Sequence, residues 1–591
     1  MKSLILAILL VVTGNAVAAV NDRSPAGVNL TKTAINSPEQ PFMNLMKMSG
    51  DGNGNAWFTA NSTGSDTAEE AYMPLDAYGY PTSMLASGLP SGVTQKYTQY
   101  CTKMVWGIQA APGLTPYRAG NYQVSYTGSG TLTITGDASS VTKVSEGQYT
   151  FTVTTPSAGI ELCITATKTN SSNGNTYMQA MSVINAADAA AYSAGQIFDG
   201  RFLASLAPFH TIRASNWNNL QVLPNSSGYA LSTWGARADQ NYVTYAAAAG
   251  VPQEIIQNLC NTLNADCWVS LPLPAAAVAF YDEGFFSSWL ANLKPNLNLY
   301  IEYGNDIWTQ SNGEYQWIVQ NPALNFLSNT TGITNDMIVS NSVGYLTGDA
   351  CDAGHAAWGS SAYRLKCVVA GPTGLNPLPT ITAIMTCPQV VANGALTTCG
   401  NHGITEVAVA PFLGFPGPTA SDITIMESQS DGGLSQLFQS IYPGGSLPSK
   451  TDGATGFMGQ FTTTVAGLSS YVLSYNTAKP AYPIELISWA AGPALTAGGV
   501  ANPGWVTLYS AANRDFRMST INRQMMCNWQ QQGGHLMVQS NLVTPYDLNG
   551  SFGLIENIMQ MPNKYTPGPP KYNSTTSFIQ NNPCWWFGCN H

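Results

Sequence analysis

The residues best placed for chemistry are Asn305 and Asp306. They follow the apolar segment 299–303, which predicts a buried strand, and they precede the aromatic residue Trp308. A carboxyl group held at the end of a strand can donate a proton to a substrate or accept one from it. Asp306 is therefore the candidate catalytic residue, with the Asn305 amide beside it.

A second group of residues has the chemistry of sugar recognition. Tryptophans occur at or just beyond the carboxyl ends of predicted strands, at Trp217, Trp268, Trp308 and Trp489. A flat indole face can stack on a pyranose ring, and Arg213, Asn216 and Asn305 can hydrogen-bond to sugar hydroxyls. These residues form the candidate substrate-binding set. Two other interpretations stay open, in which the tryptophans pack helices on strands and Arg213 pairs with a buried carboxylate.

The candidate residues need a scaffold that brings strand ends together. From about residue 198, apolar strands alternate with helical stretches, which is typical of a parallel α/β sheet or barrel. Strand candidates fall at 210–217, 267–272, 297–305, 364–371, 406–412, 483–489 and 534–541. A (β/α)8 TIM barrel needs one more strand than these seven. The segment 27–30 supplies it if a second domain is inserted after the first barrel strand.

The region between residues 97 and 166 has a different pattern. Short segments alternate apolar and polar residues with period two, and turn residues such as Gly128 and Gly130 separate them. This pattern predicts an antiparallel β-sandwich. We therefore expect an α/β TIM barrel with an additional β-sandwich near the N-terminus. The expected boundaries are a lead-in with the first barrel strand at 19–40, the sandwich at 41–190, the barrel at 191–563 and a Pro- and Asn-rich tail at 564–591.

The composition narrows the classes of partner. Charged residues are only 9% of the 591 residues, and the formal net charge is -10. Ordinary soluble domains have about 25% charged residues, so Asn, Gln, Ser, Thr and Gly must cover this surface, which suits an acidic medium. Because the sequence has no basic patch, nucleic acid is excluded as a partner. We predict neither a metal nor another cofactor, since Cys584, Cys589 and His591 are an incomplete ligand set.

The N-terminus predicts export. Residues 1–18 contain Lys2, an apolar stretch and an Ala-Val-Ala exit, the pattern of a cleaved signal peptide. No later segment has the ~18 consecutive apolar residues of a membrane span. Disulfides persist outside the cytoplasm. Proximity in the sequence, and a link between sandwich strands for the first pair, suggest Cys101–Cys163, Cys260–Cys267, Cys351–Cys367, Cys387–Cys399 and Cys584–Cys589, with Cys527 left single.

Several segments occur in an order that resembles a known group of proteins. They include Ile-Glu-Tyr-Gly-Asn-Asp-Ile-Trp at 301–308, Asn-Ala-Asp-Cys-Trp at 264–268 and Ala-Val-Ala-Pro-Phe at 408–412, with further matches at 75–81, 119–126, 202–209, 250–254 and 553–556. The chain is similar to secreted proteins described as cellulose-binding-domain or glycoside-hydrolase-like, in which a clan A type barrel carries an N-terminal β-sandwich. The match spans most of the mature chain.

The resemblance also reveals departures at the catalytic positions. In clan A barrels the fourth strand ends in Asn-Glu, whose Glu is the acid/base, and here Asp306 holds that position. The seventh strand carries the nucleophilic Glu, and the best register here gives Ala490. Phe412 replaces a tyrosine at the end of the sixth strand. A retaining mechanism needs two carboxyl groups about 5 Å apart, and an alanine cannot form the covalent intermediate.

Three functions remain open on the sequence. The first is a secreted carbohydrate-binding protein, a pseudoenzyme on a hydrolase-like barrel. The second is an active glycoside hydrolase with Asp306 as general acid, although Glu485 lies several residues before its strand end and Glu302 is expected to be a buried, hydrogen-bonded residue. The third is a structural cell-surface or coat protein, favoured by the low charge and the aromatic C-terminus with its cysteine pair.

Overall fold

The computed structural model describes residues 25–167, 176–218, 234–272, 284–305, 307–321, 332–394, 397–414, 417–495, 503–547, 550–561 and 568–583. The predicted signal peptide, Asp306 and the Cys584–Cys589 pair lie outside these residues. None of the helices in the described ranges combines the length and apolar character that crossing a membrane requires.

The chain forms one strand, β1 (Ala26–Asn29), and then builds two four-stranded antiparallel sheets. Their strands are β2 (Phe58–Ala60), β3 (Gln99–Met104), β4 (Gly120–Thr127), β5 (Gly130–Gly136), β6 (Ala138–Ser145), β7 (Gln148–Val153), β8 (Ile160–Thr167) and β9 (Gln179–Asn185). The strand orders are β2-β3-β8-β5 and β6-β7-β4-β9. The period-two pattern thus correctly predicts antiparallel strands, and alternate residues such as Tyr122, Val124 and Tyr126 are buried.

Seven further parallel strands close a barrel with β1. They are β10 (Thr211–Arg213), β11 (Asp266–Leu271), β12 (Leu299–Tyr303), β13 (Leu365–Thr373), β14 (Glu406–Ala410), β15 (Glu485–Ala491) and β16 (Met537–Gln539). Strand β1 pairs in parallel with β10, where Val28 faces Ile212, and with β16, where Gly27 faces Val538. The prediction that 27–30 is the first barrel strand is confirmed. Both antiparallel sheets therefore belong to an insertion between β1 and β10.

Gly27 shows why the first strand carries a small residue. A Cβ at this position would lie 2.8 Å from Val538 Cγ2 and 3.0 Å from the Thr211 carbonyl oxygen. The barrel closes here with β10 and β16 on either side of β1. A larger residue would push one of these neighbouring strands away, because packed interiors hold few voids.

Helices cover the outside of the barrel. They are α1 (Ala189–Ser193), α2 (Gly200–Leu206), α3 (Gln253–Leu263), α4 (Phe286–Asn292), α5 (Gly313–Gln320), α6 (Asn335–Trp358), α7 (Leu378–Thr386), α8 (Pro388–Ala392), α9 (Ala420–Glu427), α10 (Leu434–Ile441), α11 (Gly456–Ala478), α12 (Pro503–Arg514), α13 (Arg517–Gln531) and α14 (Pro570–Asn581). Two short parallel strands, β17 (Asn541–Val543) and β18 (Gly553–Ile555), precede α14.

Helix α14 lies within the Pro- and Asn-rich tail. The Asn522 side-chain amide of α13 donates to the Lys571 carbonyl oxygen and to the Ser574 and Thr575 hydroxyls, at 2.8–3.2 Å. Phe578 and Ile579 of α14 are buried. A sequence rich in Ser, Thr and Asn has low helix propensity, so tertiary contacts with α13 stabilise this helix.

Four of the predicted disulfides are confirmed. Cys101–Cys163 joins β3 to β8, and the other three, Cys260–Cys267, Cys351–Cys367 and Cys387–Cys399, lie in the barrel region. Among the cysteines in the described residues, Cys527 on α13 is the free one, as expected. Cys101–Cys163 spans 62 residues and the other three span 7, 16 and 12. All four limit the conformational entropy of the unfolded chain.

The barrel interior is a small core of its own. It contains Trp268, Val368, Ala408, Ile487, Trp489 and Val538, with Tyr300 and Phe412 packed against it. Because alternate residues of a strand face the same side, the neighbours of these residues along each strand pack outward against the helices. The interior is filled by side chains, so a ligand of the barrel itself must bind at one of its two ends.

Candidate functional site

Arg213 lies at the centre of the carboxyl end of the barrel. It is the last residue of β10 and only 3% exposed. Its guanidinium Nη1 donates to Asn29 Oδ1 at 2.8 Å, and Nη2 donates to Asn305 Oδ1 at 3.1 Å and to the Glu302 carboxylate. The ends of β1, β10 and β12 are thus tied together by one side chain.

The Arg213 guanidinium also lies between two indole rings. Its central carbon is 5.3 Å from the centroid of Trp268 and 5.4 Å from that of Trp489. A guanidinium held against aromatic faces gains a favourable cation–π interaction, which is larger when the pair is desolvated. Trp268 is completely buried, and Trp489 is 8% exposed. Both of these predicted binding residues therefore contact Arg213, and of the two only Trp489 keeps any accessible surface.

Glu302 is the counter-ion of Arg213. Its Oε1 also accepts hydrogen bonds from Ser215 Oγ at 2.9 Å and Ser270 Oγ at 2.7 Å. Its Oε2 is buried, and no hydrogen-bond donor among the described residues reaches it. The sequence-based expectation that Glu302 is buried and hydrogen-bonded agrees with this arrangement, and so does the expectation that Arg213 pairs with a carboxylate.

Asn305 and Asn216 form an amide pair at the rim of this cluster. Asn305 Nδ2 donates to Asn216 Oδ1 at 3.0 Å, and Asn216 Nδ2 donates to the Leu30 carbonyl oxygen at 2.9 Å. The Asn305 backbone N–H donates to Glu314 Oε2 at 3.0 Å, which fixes the turn after β12. Asp306, the candidate acid/base, follows directly and lies outside the described residues.

The remaining predicted tryptophans have different environments. Trp217 is completely buried in a 3-10 turn, packs against Phe42 and Phe202, and donates from Nε1 to the Thr31 carbonyl oxygen at 3.0 Å. It offers no face to a sugar, because its ring is fully buried against Phe42 and Phe202. Trp308 is partly exposed, and its Nε1 donates to the Ala370 carbonyl oxygen at 3.0 Å.

The seventh barrel strand, β15, ends in small apolar residues. Ala490 and Ala491 are buried, and the Ala491 carbonyl oxygen accepts a hydrogen bond from Ser540 N at 2.7 Å. Glu485 begins this strand, at the opposite end of the barrel. Phe412 contacts Phe552 at a centroid distance of 5.6 Å. The sequence at this strand end therefore supplies no carboxyl group that could act as a nucleophile.

Glu39 is a titratable residue that sequence reasoning missed. It is fully buried, and its carboxyl oxygens accept hydrogen bonds from Thr31 N, just beyond β1, at 3.2 and 3.3 Å. Burial raises the pKa of Glu39 to about 8, and the hydrogen bonds from Thr31 and Trp217 only partly offset this effect. No periodic pattern surrounds Glu39, so its burial depends on contacts distant in the sequence.

Comparison with known proteins gives fold-level likenesses. No family model matches the chain, and no curated protein matches it. Similar solved structures are glycoside hydrolases. One is a family 51 α-L-arabinofuranosidase from Bifidobacterium longum, with TM-score 0.35, 9% identity, and coverage of 60% of this chain and 62% of that chain. Another is a GH5-4 broad specificity endoglucanase from Clostridium longisporum, with TM-score 0.33, 9% identity, and coverage of 66% and 88%.

A third likeness is to a Bacteroides ovatus GH5 xyloglucanase in complex with a XXXG heptasaccharide, with TM-score 0.31, 11% identity, and coverage of 79% of this chain and 96% of that chain. This chain spans less than two thirds of the arabinofuranosidase length. At these scores the likenesses carry no argument about activity. The barrel assignment rests on the closed parallel strand order.

Proposed function

We propose that this protein binds carbohydrate at the carboxyl end of its barrel and does not hydrolyse it by a retaining mechanism. The observation that carries the proposal is the pairing of Arg213 with Glu302 on β12, while β15 ends in Ala490 and Ala491. A retaining glycosidase needs a nucleophilic carboxylate in addition to an acid/base. An alanine pair at the strand end cannot attack a sugar carbon.

The groups at this end have the chemistry of a sugar-binding surface. The Asn305–Asn216 amide pair, the small exposed part of Trp489 and the partly exposed Trp308 provide hydrogen-bonding groups and aromatic surface near one another. Ligands of barrel proteins bind at this end. We exclude Trp217 and Trp268 from direct contact with sugar because both are completely buried, and we assign them the role of holding the site.

We also propose a compartment for the protein and a sandwich fold for the domain inserted between β1 and β10. Four disulfides favour an oxidising compartment outside the cytoplasm, in line with a secreted or cell-surface protein. We also propose that the two antiparallel sheets form a sandwich. The Tyr149 hydroxyl of β7 accepts a hydrogen bond from Leu132 N of β5 at 3.2 Å, which supports face-to-face packing of the sheets.

A binding assay with matched tryptophan variants tests the proposal. Purified protein is titrated with soluble β-glucan, xylan, mannan and arabinan fragments by calorimetry. We expect at least one to bind, and Trp308→Ala to weaken that affinity about tenfold or more, the effect of losing an aromatic anchor. Trp106→Ala, a partly exposed tryptophan of the inserted domain, is the control and leaves affinity unchanged. Absence of binding, or equal loss in both variants, contradicts the proposal.

A further inference from the structure

A cavity of about 350 Å³ lies where the inserted domain meets the barrel. Tyr80 and Met181 line it from the inserted domain, and Tyr192, Gln240, Asn241 and Tyr245 line it from the segments that lead to and follow β10. Ligand pockets occur preferentially at such junctions, with volumes of ~300–1,000 Å³. We call it the junction cavity. No local sequence pattern predicts this cavity, since its walls are far apart along the chain.

Hydrogen bonds across the junction hold the cavity walls in place. Val243 N donates to the Tyr78 carbonyl oxygen at 2.9 Å, and Tyr245 N donates to the Lys47 carbonyl oxygen at 2.8 Å. Thr244 Oγ1 donates to the Ser49 carbonyl oxygen at 2.7 Å. The barrel loop is thus fastened to the β1–β2 segment at Lys47 and Ser49 and to the β2–β3 segment at Tyr78. A cavity with fixed walls loses little conformational entropy when a ligand enters.

The charge of the cavity favours a neutral ligand. Lys47 is the charged side chain of its lining. Its Nζ donates to the Gln240 carbonyl oxygen at 3.2 Å and to the Tyr242 carbonyl oxygen at 2.5 Å, and it lies 4.6 Å from the Tyr245 ring centroid. These contacts take up two of the three ammonium hydrogens and place the charge against the Tyr245 ring. An anion therefore gains little by entering, and a cation is repelled.

Several polar groups at the cavity are available to a ligand. Within the described part of the chain, no hydrogen bond involves the Tyr192 hydroxyl or the Gln240 and Asn241 side-chain amides. The Tyr80 hydroxyl accepts from Met181 N at 3.0 Å, so its own hydrogen remains to be donated. Tyr80 is only 4% exposed. A ligand with several hydroxyl groups can accept the hydrogen bond from the buried Tyr80 hydroxyl and can also hydrogen-bond to the exposed amides.

The rest of the lining is apolar. Phe42, Ile197 and Ile255 contribute aromatic and aliphatic surface. A ligand that is neutral, rich in hydroxyls and apolar on its ring faces fits both parts of this lining. These are the properties of a pyranose sugar.

We infer that the junction cavity is a second carbohydrate-binding site that takes a neutral mono- or disaccharide unit. The inference rests on, and deepens, the proposed function. Phe42 of the cavity packs on Trp217 with ring centroids 5.6 Å apart, and Trp217 follows Asn216 of the barrel end. The two sites share this wall. The protein would bind a glycan at two places.

Methyl NMR of Met181 tests the inference, because this side chain lines the cavity. The full-length protein is labelled at methionine methyl groups, the Met181 signal is assigned with Met181→Leu, and cellobiose, xylobiose and mannobiose are titrated separately. We expect saturable movement of the Met181 signal with at least one disaccharide. Tyr192→Phe and Asn241→Ala should each weaken that binding about three- to tenfold, the effect of one neutral hydrogen bond.

The outcomes separate this inference from the proposed function. Tyr363→Phe, at a tyrosine that is 74% exposed, is the control and leaves the Met181 titration unchanged. A Met181 signal that does not move at millimolar disaccharide overturns the inference, even if calorimetry shows sugar binding sensitive to Trp308→Ala. A Met181 response without any effect of Trp308→Ala supports the junction cavity and contradicts the proposed barrel site.

Discussion

At its carboxyl end the barrel carries an arginine that is already paired, stacked and surrounded by amides. At its amino end it carries a group of acids and bases that surround a cavity of about 380 Å³, with His210, Asp266, Lys366, Glu485 and His535 in its lining. The same fold thus has the proposed binding surface at one end and titratable groups at the other. Enzymes of this fold use the carboxyl end for catalysis, and the amino end contributes to stability.

The amino-end groups also influence one another. His535 Nδ1 lies 3.1 Å from Glu485 Oε2, and His210 Nδ1 lies 3.5 Å from Asp266 Oδ2. Burial and the neighbouring Glu485 raise the pKa of Glu406 well above its ordinary value. Burial also acts to raise the pKa of Glu485, but His535 and Lys366 outweigh it and hold that pKa below its ordinary value. Two adjacent carboxyl groups therefore favour opposite protonation states.

The two barrel ends differ in whether their carboxyl groups can exchange protons with a ligand. Proton transfer requires carboxyl groups that can reach a substrate and exchange a proton. In the described part of the carboxyl end, Glu302 is locked under Arg213 and Glu39 is buried. The acids with shifted pKa values at the amino end are far from the loops where barrel ligands bind. The comparison favours recognition over catalysis.

The largest expected effect comes from unpairing the carboxyl-end cluster. Arg213→Met leaves Glu302 buried without its cation, and breaking a buried pair in this way costs about 3–5 kcal/mol in the free energy of unfolding. Arg237→Met is the matched control, because its pair with Glu254 is partly exposed and contributes about 1 kcal/mol or less. Urea unfolding of both variants measures the difference. Equal, small losses would contradict a central role for Arg213.

Glu39→Gln tests whether the second carboxyl-end acid is held neutral. The folded-state pKa of about 8 exceeds the ordinary 4.5. Below pH 4.5 the Glu39 carboxyl group is protonated in both the folded and the unfolded state. Between pH 4.5 and 8 only the folded state keeps the proton, so the stability of the folded state falls as the pH rises through this range. The wild type should lose about 1.4 kcal/mol per pH unit across this window relative to the variant. Unfolding free energies are expected to agree near pH 4, with the variant about 3 kcal/mol more stable at pH 7. Parallel pH profiles would show that Glu39 titrates normally.

The neighbouring amino-end acids should respond to pH in opposite directions. The raised pKa of Glu406 means that the folded state favours the protonated carboxyl group, so the contribution of Glu406 to stability falls as the pH rises. Glu406→Gln, which cannot ionise, is therefore expected to stabilise the protein at pH 7 and to be neutral near pH 4. The lowered pKa of Glu485 means that the folded state favours the ionised carboxylate, so the contribution of Glu485 to stability is lost as the pH falls. Glu485→Gln is therefore expected to destabilise the protein at pH 7 and to be neutral near pH 3. Thermal unfolding over this range measures both. If the change in stability varied with pH in the same direction for both variants, the predicted difference between Glu406 and Glu485 would be wrong.

Much of the scaffold could be predicted from the sequence because local patterns determine it. Apolar runs between helical stretches located the barrel strands, and the need for eight strands identified β1 at a position separated from β10 by the whole insertion. The kind of partner that Arg213 has, a carboxylate, was also expected, since a charge inside a barrel requires a counter-ion, but the sequence did not identify Glu302 as that partner.

Other features depend on contacts that local patterns do not encode. Trp217 follows a strand as a binding residue would, but the turn at Ser215–Asn218 directs its ring into the core. The burial of Glu39 and the walls of the junction cavity come from segments brought together only by the fold. Helix α14 forms because of Asn522 and the buried Phe578, not because of its own composition.

The most direct test of the central claim is a comparison of binding and turnover in one protein. The wild type and Asp306→Asn are incubated with the glycan that calorimetry identifies, and reducing ends are measured over several days. We predict equal affinity for the two proteins within about threefold and no release above the buffer blank from either. Steady release of reducing ends by the wild type that disappears in Asp306→Asn would contradict the account and show that the barrel is a hydrolase.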